Sequence, residues 1–205
     1  MKNFKISVLS IFALLALASC SSNADDIPTI IAPPAAVNEE EVITTVKLSL
    51  IPVGVGTTIT LTSRDLDGTG PGVPVITGNT VPFALNKTYD GIISVLNETV
   101  TPAVDITGEI ANEALGHQFF YQNLGSLPAF TYTPIATAPT NYDANGKPVG
   151  TKVRFVTTTT AAAGSLKITL RHEGDKTLPG VATGSITNAT GATDFEVTFS
   201  ALVVQ

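Results

Sequence analysis

From Val42 onward apolar and polar residues alternate. Val46, Leu48 and Leu50 lie two apart with Lys47 and Ser49 between them, Ile59 and Leu61 repeat the spacing, and Phe195, Val197, Phe199, Ala201 and Val203 do so near the end. Side chains two apart share one face of a strand, so each run predicts a strand with one buried side. The pattern places strands at Val42 to Ile51, Thr57 to Ser63, Val73 to Thr77, Val81 to Leu85, Tyr89 to Leu96, His117 to Gln122, Ala129 to Ile135, Thr151 to Thr159, Ser165 to His172 and Thr193 to Val204. Tyr89, Gly91, Ile93 and Val95 alternate with Asp90, Ile92, Ser94 and Leu96, which predicts a central strand buried on much of both faces. One segment has another period. Ile106, Ile110, Ala111 and Ala114 recur at helical spacing, with Asp105 as cap and Gly116 as stop, which predicts a short helix from Ile106 to Leu115. Many short strands, turn residues between them and one helix predict an all-β chain, a single antiparallel β-sandwich of immunoglobulin-like or related type.

The first residues follow neither period. Lys2 and Lys5 precede an apolar run from Ile6 to Leu17, and Leu17-Ala18-Ser19-Cys20 closes it. A basic start, a short apolar segment and small residues before a cut describe a signal peptide, since a spanning helix needs roughly 20 apolar residues. The box before Cys20 is that of a bacterial lipoprotein signal over residues 1–19, so Cys20 is expected to become the acylated first residue of the mature chain. Several acyl chains hold far better than one, at about 0.8 kcal/mol per buried CH2. Residues 20–41 read as a lipidated, acidic, flexible tether of Ser, Asn, Asp, Pro and Ala ending in Glu39, Glu40 and Glu41, and residues 42–205 as the sandwich. Ser21, not an aspartate, stands beside Cys20, which points to the outer membrane, and Asp25 and Asp26 resemble the acidic export signals of surface lipoproteins. The expected location is the cell envelope, as an outer-membrane lipoprotein facing the periplasm or the exterior.

Composition narrows the partners. Loss of Lys2 and Lys5 with the signal shifts the formal net charge from −6 to about −8, which argues against nucleic acid and against anionic lipid. The membrane is therefore expected as a partner through the lipid alone. Cys20 is the only cysteine, so no disulfide can form within the domain.

Few residues can carry chemistry. There are two histidines, and no serine stands on a recognisable nucleophile turn, so the chain is read as non-enzymatic. Counting strand reversals brings His117 and His172 to the same end of the sandwich, with Glu109, Glu113, Glu173 and Asp175 near them. His117, His172, Glu113 and Glu173 are thus candidate ligands for a divalent metal ion such as zinc or copper. His172 shares its parity with Leu166, Ile168 and Leu170, so a histidine at the core edge bonded to backbone is the competing reading. The same count places the tether at the opposite end. Asp65, Asp67 and Thr69, followed by Gly70, resemble the opening of a calcium loop, although Ile76 stands where an EF-hand needs glutamate. Asp143-Ala144-Asn145-Gly146 reads as a turn.

Asn38 to Thr45, the Ser63-Arg64-Asp65-Leu66-Asp67-Gly68 loop, Glu113 to Phe120 ending in His-Gln-Phe-Phe, and Leu170-Arg171-His172-Glu173 together resemble small flavobacterial lipoproteins of the Bacteroidota. That group is commonly labelled a type 1 periplasmic binding fold superfamily protein. The label implies two doubly wound α/β lobes, which the single helix here does not supply, so the resemblance implies location and not mechanism. The expected function is a non-enzymatic binding domain at the envelope, taking a small ligand or metal as an accessory to uptake. The alternative is a structural or adhesive surface protein that contacts an envelope protein or glycan.

Overall fold

Alternation builds two antiparallel sheets. The structure, a computed structural model, describes residues 41–68, 70–133 and 141–205. Val46, Leu48 and Leu50 face the core from β1 (Thr45–Pro52), Ile59 and Leu61 from β2 (Ile59–Arg64), and Tyr89, Ile93 and Val95 from β4 (Thr88–Asn97). With β3 (Val75–Thr77), β5 (Val104–Asp105), β7 (Phe130–Tyr132) and β8 (Lys152–Val156) they form a seven-stranded sheet ordered β3-β2-β1-β4-β8-β7, with β5 beside the end of β4. The second sheet has three strands, ordered β10-β9-β6: β6 is His117–Gly125, β9 is Ala162–His172 and β10 is Ala192–Val204. Leu166, Ile168 and Leu170 of β9, Phe119 of β6 and Phe199 of β10 join the first sheet's residues in one core. This is an all-β sandwich, with one α-helix among the described residues, α1 (Ile106–Asn112), and one 3-10 turn among them at Val181–Thr183. Gly91 shows how closely the core is packed. A Cβ there would lie 2.7 Å from Val153 Cγ2, so only glycine lets β4 and β8 approach as they do.

Several expectations need correction. Residues 81–85 form no strand; Phe83 alone makes a parallel bridge to Val204. β4 is central, between β1 and β8, but its second face is not buried throughout, because Ile92 is 39% exposed. The last strand does not keep one parity. An irregularity between Phe199 and Leu202 adds a residue, Ala201 takes φ 59°, and Leu202 and Val204 turn inward in place of Ala201 and Val203. The helix stops at Asn112, three residues short of Leu115, with Glu113 as its C-cap. Residues 141–148 do form the expected turn, closed by Gly146 N–H donating to the Asp143 carbonyl at 3.0 Å. Among the described residues no helix is long and apolar enough to cross a membrane, and no βαβ unit occurs.

Candidate metal centre

Three elements bring the two histidines together. The Asp105 carboxylate accepts a hydrogen bond from Thr107 N–H at 3.0 Å and starts α1. The chain then turns, with Gly116 N–H donating to the Glu113 carbonyl, and enters β6 at His117. In the β6–β9 ladder His117 stands directly opposite His172. Phe119 and Leu170 form the next inward rung but one of that ladder, so the histidines continue the core stripe to its end. Their rings stack, with centroids 4.5 Å apart and planes 11° from parallel.

Carboxylates close on this pair. β10 pairs Thr193 with Arg171 and Phe195 with Leu170, which leaves Asp194 as the extra residue of a bulge. A bulge re-aims the side chain it carries. Asp194 is 2% exposed, with Oδ2 3.7 Å from His117 Nε2 and Oδ1 3.7 Å from His172 Nδ1. Glu41 arrives from the start of the domain, its Oε1 3.4 Å from the same His117 Nε2. Glu113 lies on the other side, Oε2 3.9 Å from His117 Nδ1, with half its side chain in solvent.

The electrostatics centre on His117. Its side chain is fully buried, and Nδ1 lies 3.3 Å from the Glu113 carbonyl. When Nδ1 donates that hydrogen bond, Nε2 presents its lone pair toward two carboxylates; Nε2 itself makes no hydrogen bond among the described residues. Electron-rich atoms facing one another in a buried place need a positive charge between them, a proton or a metal ion. Burial pushes the Glu41 carboxyl above its ordinary value; His117 opposes that rise and Asp194 adds to it.

Two overlapping donor sets result, His117 with His172 and Asp194, and His117 with Glu41 and Glu113. Within each set one ligand atom per residue lies within 4.8 Å of the others. Two imidazoles and a carboxylate are a donor set suited to zinc, with a position left for water or ligand. Neighbouring ligands of a tetrahedral ion with bonds of about 2.0 to 2.1 Å lie about 3.3 Å apart, slightly less than the separations here. The stacked rings aim their in-plane lone pairs side by side. One ring must turn to share an ion, and His172, at 14% exposed, is less confined than His117.

Of the residues expected from sequence, His117, His172 and Glu113 are in this cluster and Glu173 is not. Glu173 takes φ 55°, gives its N–H to the Gly116 carbonyl at 2.7 Å and leaves its side chain exposed. That backbone bond turns the chain away from the histidines. Asp194 and Glu41 were missed. Asp194 alternates with Phe195 as a solvent-facing residue would, and only the bulge brings it in; Glu41 reads as the last glutamate of a tether.

The entry of the chain is also corrected. Glu41, the first described residue, stands at the histidine end and not, as expected, at the opposite one. The supposed strand at 81–85 supplied one reversal too many, and β4 runs antiparallel to β1. In the calcium-like loop, Asp67 accepts from Gly72 N–H at 2.9 Å, and a hydrogen bond with Asp67 holds the Asp65 carboxyl above its ordinary value. The two carboxylates serve each other and the turn, and among the described residues no His, Cys, Asp or Glu joins them as a third ligand; Thr69 lies outside the described residues, as does Cys20. No protein-family model, no curated protein and no solved structure matches this chain.

Proposed function

We propose that this chain is a lipid-anchored outer-membrane protein whose sandwich binds a divalent transition-metal ion through His117, His172 and Asp194, as a binding protein and not an enzyme. The observation that carries the reading is the buried His117 Nε2, without a hydrogen bond and within 3.4 to 3.7 Å of two carboxylates. Imidazole with carboxylate suits zinc or copper better than calcium, which prefers an all-oxygen shell. The anchor is the part read from sequence: Cys20→Ser is expected to leave the membrane fraction.

The metal reading is tested on protein purified without chelator. Elemental analysis should find a transition metal near one per chain. After stripping, zinc at about 100 times its Kd should stabilise the fold by about 2.7 kcal/mol, a rise of roughly 5–10 °C in melting temperature. His172→Ala should abolish that rise while the stripped variant melts near the stripped parent. No metal and no zinc-dependent rise would reduce both histidines to structural residues.

A further inference from the structure

A cleft of about 540 Å³ adjoins the histidine cluster, between residues 41–44 on one side and residues 194–197 of β10 on the other, with residues 65–68 among those lining it. Its β10 wall is the edge of a sheet. β10 is the outermost strand of its sheet, and over Ala192–Phe199 its strand partner among the described residues is β9 alone. An edge of this kind presents a row of backbone donors and acceptors to any strand laid beside it.

The lining has one sign of charge. Glu41, Asp65, Asp67, Asp194 and Glu196 line the cleft and no lysine or arginine does, although Lys167 reaches Glu196 from outside at 2.8 Å. The second observation is Glu41. Its side chain is nine-tenths buried and its Oε2 makes no hydrogen bond among the described residues. Such a carboxylate oxygen is costly to bury without a donor. Val42 and Leu66, 54% and 46% exposed, add apolar contact beside the carboxylates.

We propose that this cleft binds an extended segment of a partner protein rich in lysine or arginine, which adds as a strand to β10 and directs a cationic side chain at Glu41. Main-chain pairing supplies affinity in that arrangement, and alternate side chains supply selectivity. The carboxylates choose basic segments over acidic ones. The proposal does not need a metal in the histidine cluster, although Glu41 borders both.

The test uses the full chain in detergent, stripped of metal, and a ten-residue peptide of alternating lysine and valine, read by fluorescence anisotropy. Binding is expected, weakening as salt rises. N-methylation of the backbone nitrogens along one edge of the peptide should abolish it, while methylation along the other edge should leave it. Asp65→Asn should weaken binding about threefold, since an exposed charge contributes little by itself, and should leave the zinc-dependent melting shift as it was. Three results would overturn the proposal: no binding, equal binding of a glutamate-valine peptide, or displacement by spermine with no effect of methylation on either edge. The last would make the cleft a site for small organic cations. A zinc shift without peptide binding removes this proposal alone; peptide binding without a zinc shift removes the metal reading alone.

Discussion

Two buried polar clusters lie close to the C-terminal end of α1, and they are built differently. In one, Lys176 Nζ donates to the Asp143 carboxylate at 3.1 Å and to the Ala114 carbonyl at 2.6 Å. The other oxygen of Asp143 accepts from Asn145 and Lys147 N–H groups, both at 2.9 Å. In the other cluster, His117 Nε2 faces Glu41 and Asp194 at 3.4 and 3.7 Å with no hydrogen bond. The first is a satisfied network, which pins the loop after β9 to the end of α1 and to the turn at residues 141–148. In the second, His117 Nε2 and Glu41 Oε2 are buried and make no hydrogen bond among the described residues. A fold tolerates the second arrangement only with stability drawn from elsewhere, which is consistent with the proposed metal site. Burial of polar groups is common to both; hydrogen-bond satisfaction separates them.

The largest effect tests the satisfied cluster. Lys176→Met leaves Asp143, whose side chain is 1% exposed, as a buried charge without its partner. Loss of one member of a buried pair costs about 3–5 kcal/mol, measured by urea unfolding. His172→Ala in the other cluster should cost well under half of that. Equal losses would erase the distinction. The lysine also predicts a pH dependence. Burial pushes its ammonium below the ordinary 10.5, while Asp143 opposes the shift. Between the folded and unfolded pKa values the unfolded chain holds more protons, so stability should rise with pH until about 10.5 and then level. Lys176→Met should lose this rise; an unchanged alkaline slope would remove Lys176 as its source.

The same contrast shows what a sequence can disclose. Period-2 alternation was sufficient for β1, β2 and β4 because one face of each is packed and the other wet, so Val46, Leu48 and Leu50 had to be inside. Counting reversals put His117 and His172 at one end of the sandwich, although it did not disclose that β6 and β9 pair directly. A bulge, however, is one unpaired residue, and no residue type signals it. Asp194 therefore looked solvent-facing, and Leu202 and Val204 looked like outward positions. The entry of the chain was misread because Val81, Phe83 and Leu85 alternate as a strand does; the backbone around Phe83 makes only one bridge. Only Phe83 of that set is buried, with Val81 45% and Leu85 39% exposed, so alternation there marks no buried strand face. Glu41 was illegible from local pattern, since its place depends on contacts with residues far along the chain.

A middle-sized effect sharpens the proposed metal cluster. Asp194→Asn keeps the size of the side chain and removes its charge. If the ion is held by the two histidines and Asp194, zinc affinity should fall by more than about 100-fold, beyond the roughly 10- to 100-fold that altering a group outside the ligand shell costs. Titration against a competing chelator measures this. A loss below about threefold would move the ion to the other donor set.

The smallest effect decides between the two sets from the other side. Glu113 lies 3.9 Å from His117 Nδ1 and its side chain is 51% exposed, so water already screens it. The Glu113 carbonyl lies closer to that nitrogen, at 3.3 Å, and a hydrogen bond there fixes the tautomer that turns Nε2 toward Glu41 and Asp194. Glu113 then acts on the site through its backbone, which Glu113→Gln leaves in place. Zinc affinity in Glu113→Gln should stay within about threefold of the parent, the range for an exposed charge near but outside the ligand set. A loss comparable to that of Asp194→Asn would mean that Glu113 is a ligand and that the ion sits on the α1 side of His117. Within that small range, a twofold weakening that disappears at high salt would mark Glu113 as a screened neighbouring charge, because salt removes a distant Coulomb attraction and leaves a coordinate bond intact.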